Sequence, residues 1–295
     1  MQHLQTKYRF IDTDGQHLHT LDGKPLIGTT TCSGEVLQPP LAWYGSGKAV
    51  ELLGVRNAKE LTLLKNKKLS AEATKLLMEG LADAHSAIKE LDTESYLELV
   101  MKAYRNHSEY KDLRAEEGDR LHNTLEKYVK ECIDKHGGVP FVPENPFEDD
   151  RINKFVAWAM EKVEKFLYSE CYCFSEELWL GGKFDVIFLG KDGKTYLGDF
   201  KSAKESYHKN WIQMALYDFQ VSENGVLTKD GMRLDAQLIP KKEETLLRVI
   251  NPMINGYALF PFGGKIEPDY RYNLGDYRKA AQGVVDNYKL MMITN

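Results

Sequence analysis

Apolar positions recur most regularly between residues 176 and 219, where their period changes along the chain. Two runs rich in β-forming residues, Phe184 to Leu189 and Thr195 to Lys201, flank the sequence Gly190-Lys-Asp-Gly-Lys194. An Asp-Gly pair between two such runs is a strong signal for a β-hairpin. From Ser206 to Phe219 the period becomes helical, which predicts a helix packed on the hairpin. The apolar stripe of this helix consists of Ile212, Ala215, Leu216 and Phe219.

The remaining sequence predicts more helices than strands. Residues 42–110 are rich in Leu, Ala, Glu and Lys and predict several helices, without a sustained heptad or an internal repeat. Further helices are expected at 116–132, 151–168 and 270–292. We therefore expect residues 1–110 to form an N-terminal subdomain made of a β-turn and helices.

Partial alternation of apolar residues marks the other predicted strands. The segment 17–36 contains an Asp-Gly turn and favours a β-hairpin or an irregular opening, while 233–240 and 245–260 predict further strands of the same sheet. The sheet would then have at least four strands. The pattern predicts an α/β core over residues 111–295, in which a mixed central β-sheet is flanked by helices and a final helix follows the strands.

Composition narrows the class of protein. The chain has 295 residues, a hydrophobic content of 42% and a net charge of −5, as expected of a soluble globular enzyme. No apolar run approaches the roughly 20 residues that span a bilayer, and the first residues lack the apolar centre of a signal peptide, so we expect a cytoplasmic protein of a bacterium or a phage-infected host. The acidic balance provides no global attraction for nucleic acid, so binding would depend on local basic patches and metal. The four cysteines form no C-x-x-C pair, which argues against a zinc site or an iron–sulfur cluster.

Three charged side chains on the predicted hairpin indicate a metal site. Side chains alternate along a strand, so Asp199 and Lys201 project from the same face while Phe200 points to the other. If the register places Asp185 beside Asp199, two like charges converge, and a divalent cation would resolve their repulsion. Oxygen ligands favour Mg²⁺ or Mn²⁺ over zinc. Such an ion polarises a phosphoryl oxygen, and Lys201 would orient water or offset charge on the phosphate. The alternative to a metal site is that these charged side chains form a structural ion pair.

The predicted helix after the hairpin carries polar side chains beside its apolar stripe. Gln213 and Tyr217 are four residues apart and lie on one flank, with Lys209 a further turn earlier. These amide, phenol and amine groups would line a groove that leads to the metal and would position a nucleic-acid strand there. A helix flank in water is the alternative for them.

The order and spacing of these residues resemble a known family, the PD-(D/E)XK nuclease superfamily. The closest resemblance is to its RecB-like branch, which includes phage and mitochondrial genome-maintenance exonucleases, and it covers roughly residues 116–220. It implies a restriction-endonuclease-like sheet flanked by helices. No Pro precedes Asp185 and the second acid is Asp rather than Glu, which leaves the polarity of cleavage open. The matching motif consists of Gly182-x-x-Asp185, Asp199-x-Lys201 and Gln213-x-x-x-Tyr217.

The resemblance implies two further side chains. A His ligand after a Gly on an upstream helix would be His122, in Gly118-Asp-Arg-Leu-His122. An acidic residue just before the first catalytic strand would be Glu177, which is better placed than Glu176. The implied metal ligands are His122, Asp185, Asp199 and the carbonyl of Phe200. The implied catalytic residues are Asp185, Asp199, Lys201 and Glu177, and the implied DNA-binding residues are Gln213, Tyr217 and Lys209.

An N-terminal pattern is also similar to these enzymes. Thr29-Thr-Thr31 followed by Leu41-Ala-Trp43 is similar to the opening of phage and mitochondrial RecB-like exonucleases, with a helix N-cap and a core Trp as the alternative. Four lysines between residues 59 and 68 would track phosphates or form a solvated helix face.

The residues and the resemblance together imply a divalent-metal-dependent DNA exonuclease that leaves a 5′-phosphate and acts in phage-type recombination, repair or replication. Its partners would be DNA single strands or duplex ends, with a single-strand-annealing protein or a helicase as a candidate and no membrane. A structure-selective endonuclease is one alternative. A catalytically inactive module that binds nucleic-acid ends is another, although it would not need metal-holding acids. Polarity, strand preference, DNA versus RNA and oligomeric state stay open.

Overall fold

The structure is a computed structural model that describes residues 2–13, 16–36, 50, 55, 58–240, 245–249, 253–264 and 266–294. The predicted Leu41-Ala-Trp43 segment lies outside these residues. The chain divides into two compact units, one formed by Met1–Leu37 with Gly118–Asn295 and the other by Gln38–Glu117. No helix in the described ranges is long and apolar enough to cross a bilayer.

Strands and helices alternate irregularly along the chain. The strands are β1 (Gln2–Gln5), β2 (Tyr8–Thr13), β3 (Gln16–Leu21), β4 (Lys24–Pro25), β5 (Ile27–Gly28), β6 (Val163–Ser175), β7 (Leu180–Gly190), β8 (Thr195–Lys201), β9 (Met232–Pro240), β10 (Thr245–Val249), β11 (Gly256–Pro261) and β12 (Asp269–Arg271). The helices are α1 (Thr29–Val36), α2 (Ala58–Lys65), α3 (Ala71–Lys89), α4 (Thr93–His136), α5 (Asp150–Lys162), α6 (His208–Asn224) and α7 (Leu274–Thr294).

A six-stranded mixed sheet forms the centre of the larger unit. Its strands lie in the order β12-β11-β8-β7-β5, and β6 pairs with β7 as well. Strands β6, β7 and β8 are antiparallel, with the predicted Asp192-Gly193 turn between β7 and β8. After α6 the chain returns to the sheet as β11, which pairs with β8 in parallel. The prediction of a mixed sheet flanked by helices is therefore confirmed.

Helices cover both faces of this sheet. On one face Trp211 and Leu216 of α6 and Val285 of α7 pack against the sheet, while Phe155 of α5 and Leu125 of α4 pack on the other. Alternation along β8 sends its apolar side chains into both layers. Leu197 belongs to the layer of α6 and α7, and Tyr196 and Phe200 belong to the layer of α4 and α5.

The predicted boundaries of several elements are wrong. The helix expected at 151–168 ends at Lys162, because the following segment pairs along the whole of β7 as strand β6. The strands expected at 233–240 and 245–260 do not all join the central sheet. Strands β9 and β10 form a separate sheet with β1, and only β11 pairs with β8. The pairing of Gln2 with Leu238 is too distant in sequence for a local pattern to indicate it. The predicted Asp22-Gly23 turn is present between β3 and β4.

A buried ion pair fixes the orientation of α6. The side chain of Asp218 is fully buried and accepts hydrogen bonds from Arg278 Nε at 2.8 Å and Arg278 Nη2 at 2.7 Å. The hydroxyl of Tyr257 on β11 donates a third hydrogen bond at 2.7 Å. Three directed bonds to one carboxylate tie α6 to α7 and to the sheet. The rotation of α6, and with it the direction of Gln213 and Tyr217, is thereby fixed.

We expect Arg278→Leu to lower the free energy of unfolding by about 3 kcal/mol, because it leaves the buried carboxylate of Asp218 without a cation and with only the hydroxyls of Tyr257 and Ser222 as donors. The double variant Asp218→Asn with Arg278→Leu removes the uncompensated charge and should recover at least half of that loss. Urea unfolding of the three proteins measures both effects. Equal stability of the single and double variants would contradict the charge argument.

Candidate metal centre

Three neighbouring strands each contribute a carboxylate to one place on the sheet. Strand β6 supplies Glu170, which the flanking pairs Ser169↔Val186 and Cys171↔Phe184 place opposite Asp185 on β7. Strand β8 supplies Asp199, next to the pair Val186↔Gly198. The register of the sheet, rather than the local sequence, therefore brings Glu170, Asp185 and Asp199 together.

The carboxylate of Asp185 lies between β7 and β8. The regular pairing of these strands runs from Leu189↔Thr195 to Val186↔Gly198. Beyond the last of these pairs, the backbone N–H of Phe200 donates a hydrogen bond of 2.6 Å to Asp185 Oδ2. A side chain thus accepts a backbone hydrogen bond next to the last regular pair of the ladder. This bond fixes the acid against the strand that carries Asp199.

A histidine from the helical layer completes the group. His122 lies on α4, and its Nδ1 is 3.7 Å from Asp185 Oδ2. One ligand atom from each of His122, Glu170 and Asp185 lies within 4.8 Å of the other two. The His122 ring also has a hydrogen bond with the backbone of Phe200. An imidazole and two carboxylates at this spacing form a donor set that suits a divalent cation.

The predicted acid and amine of β8 form an ion pair beside this group. Lys201 Nζ lies 2.9 Å from Asp199 Oδ1, to which it donates a hydrogen bond. It lies 2.9 Å from Oδ2 as well, but Oδ2 accepts no well-directed hydrogen bond within the described part of the chain. The side chain of Asp199 is 4% exposed. Lys201 thus balances the charge of Asp199, but one buried oxygen of the carboxylate lacks a directed donor among the described residues, which is uncommon.

Burial and mutual repulsion shift the pKa values of the site. Burial, and then the charge of Asp199, raises the pKa of Asp185 to about 7. Burial and the charge of Asp185 also raise the pKa of Glu170. Burial and then Lys201 lower the pKa of His122, which favours the neutral imidazole that binds metals. Burial lowers the pKa of Lys201, but Asp199 and Asp185 outweigh it, so the pKa is raised overall and the amine is protonated at neutral pH.

The polar residues predicted on α6 divide into a buried and an exposed set. Gln213 Nε2 donates a hydrogen bond of 3.0 Å to the hydroxyl of Tyr217. Tyr217 as a whole residue is 3% exposed. Tyr217 packs so closely on Gly182 that a Cβ at that position would lie 2.6 Å from Tyr217 Cε1. This close approach explains the glycine of the predicted motif. Lys209 is exposed and lines an open pocket of about 290 Å³ with Lys201 and Gln213.

The structure places Glu177 away from this site. Glu177 lies in the exposed turn between β6 and β7, and its backbone N–H donates to Glu223 Oε1 at 3.3 Å. Strand β7 begins three residues after Glu177, at Leu180, and its first five residue steps alone carry the chain about 17 Å to Asp185. Glu170, and not Glu177, lies with His122 and Asp185.

Glu170 has two features that mark it as unusual. Its φ of 53° is a left-handed conformation, which costs a residue with a side chain about 1 kcal/mol or more. Its carboxylate forms an ion pair with Lys183, the neighbour of Gly182 in the predicted motif. The sequence signal was weak because Glu170 follows a segment with helical periodicity and lies within the polar-apolar run Ser169-Glu-Cys-Tyr172.

The repulsion in this site predicts a pH-dependent stability. Asp185 holds its proton more tightly in the folded chain than in the unfolded chain, so its contribution to stability falls as pH rises from about 4 to about 7. Without divalent metal, Asp185→Asn should raise the free energy of unfolding, by on the order of 2 kcal/mol more at pH 8 than at pH 5. Mg²⁺ or Mn²⁺ should stabilise the wild-type protein and not this variant.

Denaturant unfolding with chelator and with each metal measures these effects. Asp134→Asn makes the same chemical change at an exposed position of α4 and serves as the control, with no gain expected at either pH. A gain of equal size for Asp185→Asn at pH 5 and pH 8 would contradict the repulsion argument.

Known families offer no independent identification of the site. No protein-family model matches this chain, and no curated protein matches it significantly. The function of the chain is therefore inferred from the geometry and chemistry of Glu170, Asp185, Asp199, Lys201 and His122.

Proposed function

We propose that this protein is a divalent-metal-dependent DNA nuclease, and specifically an exonuclease that hydrolyses phosphodiester bonds. The observation that carries the proposal is the convergence of Glu170, Asp185 and Asp199 from three neighbouring strands, with His122 beside them and Lys201 paired to Asp199. Lys201 pairs with Asp199 and Lys183 pairs with Glu170, so structural ion pairs account for two of the three carboxylates. The third carboxylate, Asp185, has as its neighbour His122, whose pKa is lowered, and its negative charge favours a site that binds a cation.

The topology of the sheet supports a restriction-endonuclease-like core. Three antiparallel strands, β6, β7 and β8, precede helix α6, and β11 then pairs with β8 in parallel. The three antiparallel strands carry the acids, and the helix after them carries Gln213 and Tyr217. This arrangement agrees with the fold that the PD-(D/E)XK resemblance implies. The choice of exonuclease over endonuclease rests on that resemblance alone.

The donor set fits a bound Mg²⁺ or Mn²⁺. His122, Glu170 and Asp185 would hold the ion, and the buried Asp199 Oδ2 adds an acceptor that lacks a well-directed donor among the described residues. The ion would polarise a phosphoryl oxygen and lower the pKa of a bound water. Because the pKa of Asp185 is raised to about 7, binding of the ion would release a proton from this acid.

Lys201 acts as a cation in this scheme. Its raised pKa keeps the amine protonated at neutral pH, so it is unsuited to accept a proton from water. Asp199 holds the amine at 2.9 Å and so fixes its direction. The amine would offset the negative charge that develops on the phosphate during hydrolysis.

The start of α6 would position the DNA strand. Its N-cap residue Tyr207 provides no side-chain hydrogen bond to the helix, and the first turn has no acidic residue. The N–H groups at such a helix start favour phosphate groups. Lys209 and Gln213 line the same pocket as Lys201, which would guide the backbone towards the acids. We propose that this local patch binds DNA in the cytoplasm despite the net charge of −5.

Cleavage of end-labelled DNA tests the proposed function. Linear single strands and duplexes should be degraded with Mg²⁺ or Mn²⁺ and not with chelator, and circular DNA should survive. Asp199→Ala and Lys201→Ala should each reduce the rate by about 100-fold or more. If no metal supports cleavage while all three proteins bind DNA equally, the chain is an end-binding module and not a nuclease. Cleavage of circular DNA would favour the endonuclease.

A matched pair of glutamates tests the location of the site. Glu170→Gln should weaken Mn²⁺ binding by about 10-fold or more and reduce cleavage accordingly, because it removes one anionic ligand. Glu177→Gln makes the same change in the exposed turn and should leave both unchanged. Calorimetric titration with Mn²⁺ and the cleavage assay provide the two measurements. Loss of activity in the Glu177 variant with normal activity in the Glu170 variant would overturn this assignment.

A further inference from the structure

A second pocket lies in the larger unit where the β2–β3 hairpin meets β6 and β7. Its volume is about 360 Å³, close to the lower end of the range for ligand pockets. Aromatic and imidazole rings make up half of its ten lining residues, and its charged groups are one amine and the carboxylate of Asp12, which lies 3.3 Å from His17 Nδ1. We call it the hairpin pocket. Its lining includes Phe10, His17, His19, Tyr172, Lys183 and Tyr217.

The rings of the hairpin pocket form a clustered surface. The ring of Phe10 lies 4.8 Å from that of Tyr172 and 5.0 Å from that of His19, measured between centroids. His17 stacks parallel to Phe10, with an angle of 6° between the rings. Phe10 and Tyr172 are both only partly buried. These rings therefore offer apolar faces to whatever enters the pocket.

The hairpin that carries these rings is held firmly against the central sheet. His19 packs on Gly181 so closely that a Cβ at Gly181 would lie 2.5 Å from His19 Cβ. The hydroxyl of Tyr8 and His19 Nδ1 form a hydrogen bond of 2.6 Å beneath the pocket. Burial, and then His17, lowers the pKa of His19 to about 4, so this ring is neutral at physiological pH. The pocket is thus preformed and carries no cationic His19.

The hairpin pocket adjoins the metal centre through two of its lining side chains. Lys183 lines the pocket and forms an ion pair with Glu170 of the metal centre. Tyr217 lines the pocket, and it lies close enough to Asp199 and Asp185 for their charges to contribute to the raised pKa of its hydroxyl. A nucleotide whose phosphate contacted a cation held by Glu170 and Asp185 would therefore have the pocket beside it, because Lys183 belongs to both places.

We propose that the hairpin pocket holds one unpaired nucleobase of the strand that is cut, so that the substrate is single-stranded at the cleavage site. Aromatic faces bind bases of any sequence by stacking, and only an unpaired, unstacked base exposes its face. Lys183 would contact the adjoining phosphate. This inference rests on the proposed nuclease function and adds its strand preference.

Binding of labelled single-stranded oligonucleotides tests the pocket without cleavage, with Ca²⁺ in place of Mg²⁺. Phe10→Leu and Tyr172→Leu keep an apolar side chain but remove the aromatic face, and each should weaken binding by about 10-fold. Phe10→Trp should retain affinity. Tyr272→Leu removes a partly exposed ring that stacks on Tyr270, outside the pocket lining, and should change affinity by less than about 2-fold. Thermal unfolding of each variant separates loss of the ring from loss of the fold.

An abasic nucleotide moved along the oligonucleotide makes the test specific. At one position it should weaken binding of the wild-type protein by about 10-fold, and at that position Phe10→Leu should cause no further loss. Unchanged affinity of both pocket variants, or additive losses at every abasic position, would overturn the proposal.

The two proposals can fail separately. A wild-type protein that cuts DNA, with pocket variants that bind and cut normally, would remove the base pocket and leave the nuclease. A wild-type protein that cuts nothing with any metal, but whose binding depends on Phe10 and on one base, would remove the nuclease and leave a single-strand-binding site.

Discussion

Like charges buried at one place are the constraint on which this structure depends. Asp185 and Asp199 come from adjacent strands, and Glu170 adds a third carboxylate. Each would be solvated separately in the unfolded chain, so folding brings them together against their repulsion. Lys201 compensates the charge of Asp199 and Lys183 that of Glu170, so the charge of Asp185 is the one left over. The fold therefore tolerates a locally unfavourable arrangement, which is common where a site is prepared for a ligand.

The sheet and its two helical layers distribute the parts of this site. His122 reaches Asp185 from the layer of α4 and α5, while Tyr217 comes from the layer of α6 and α7. The acids lie between the layers, at the level of the sheet. A rearrangement of either layer would move one set of side chains relative to the acids. The ion pair of Asp218 with Arg278 gives the second layer its rigidity.

Local sequence patterns predicted the parts of the site that depend on local geometry. The Asp-Gly turn and strand alternation correctly indicated β7 and β8, and with them the proximity of Asp199 and Lys201. Glu170 was not found, because its position depends on which strand pairs with the far edge of β7. The periodicity of 151–168 fits a helix as well as its actual division into α5 and β6. The pairing of β6 with β7 determines both where Glu170 lies and where α5 ends. Hydrophobic periodicity carries no information about such pairing between distant strands.

The same limit applies to the N-terminal strands. Nothing in the sequence near Gln2 indicates that β1 pairs with β9. A β-hairpin or an irregular opening was expected only from residue 17 onwards, so strand β2, which carries Phe10 and pairs with β3, was not predicted. Helix α1 begins at Thr29, and the hydroxyl of Thr29 donates to Gly181 of β7 and accepts from Gln220 of α6. A helix start is visible in the local sequence, whereas such distant partners of its side chain are not.

The contact of Thr29 with Gly181 has a consequence for how the chain folds. Its two residues are separated by 152 positions, and the bond from Gln220 to Thr29 spans 191. Contacts this distant in sequence form late, and they slow folding more than they reduce stability. During synthesis, β5 has no partner until β7 has left the ribosome, and β1 waits longer still for β9. The N-terminal hairpin must therefore remain undocked and unaggregated while most of the chain is made, which makes its folding the step most sensitive to chaperones and to the rate of translation.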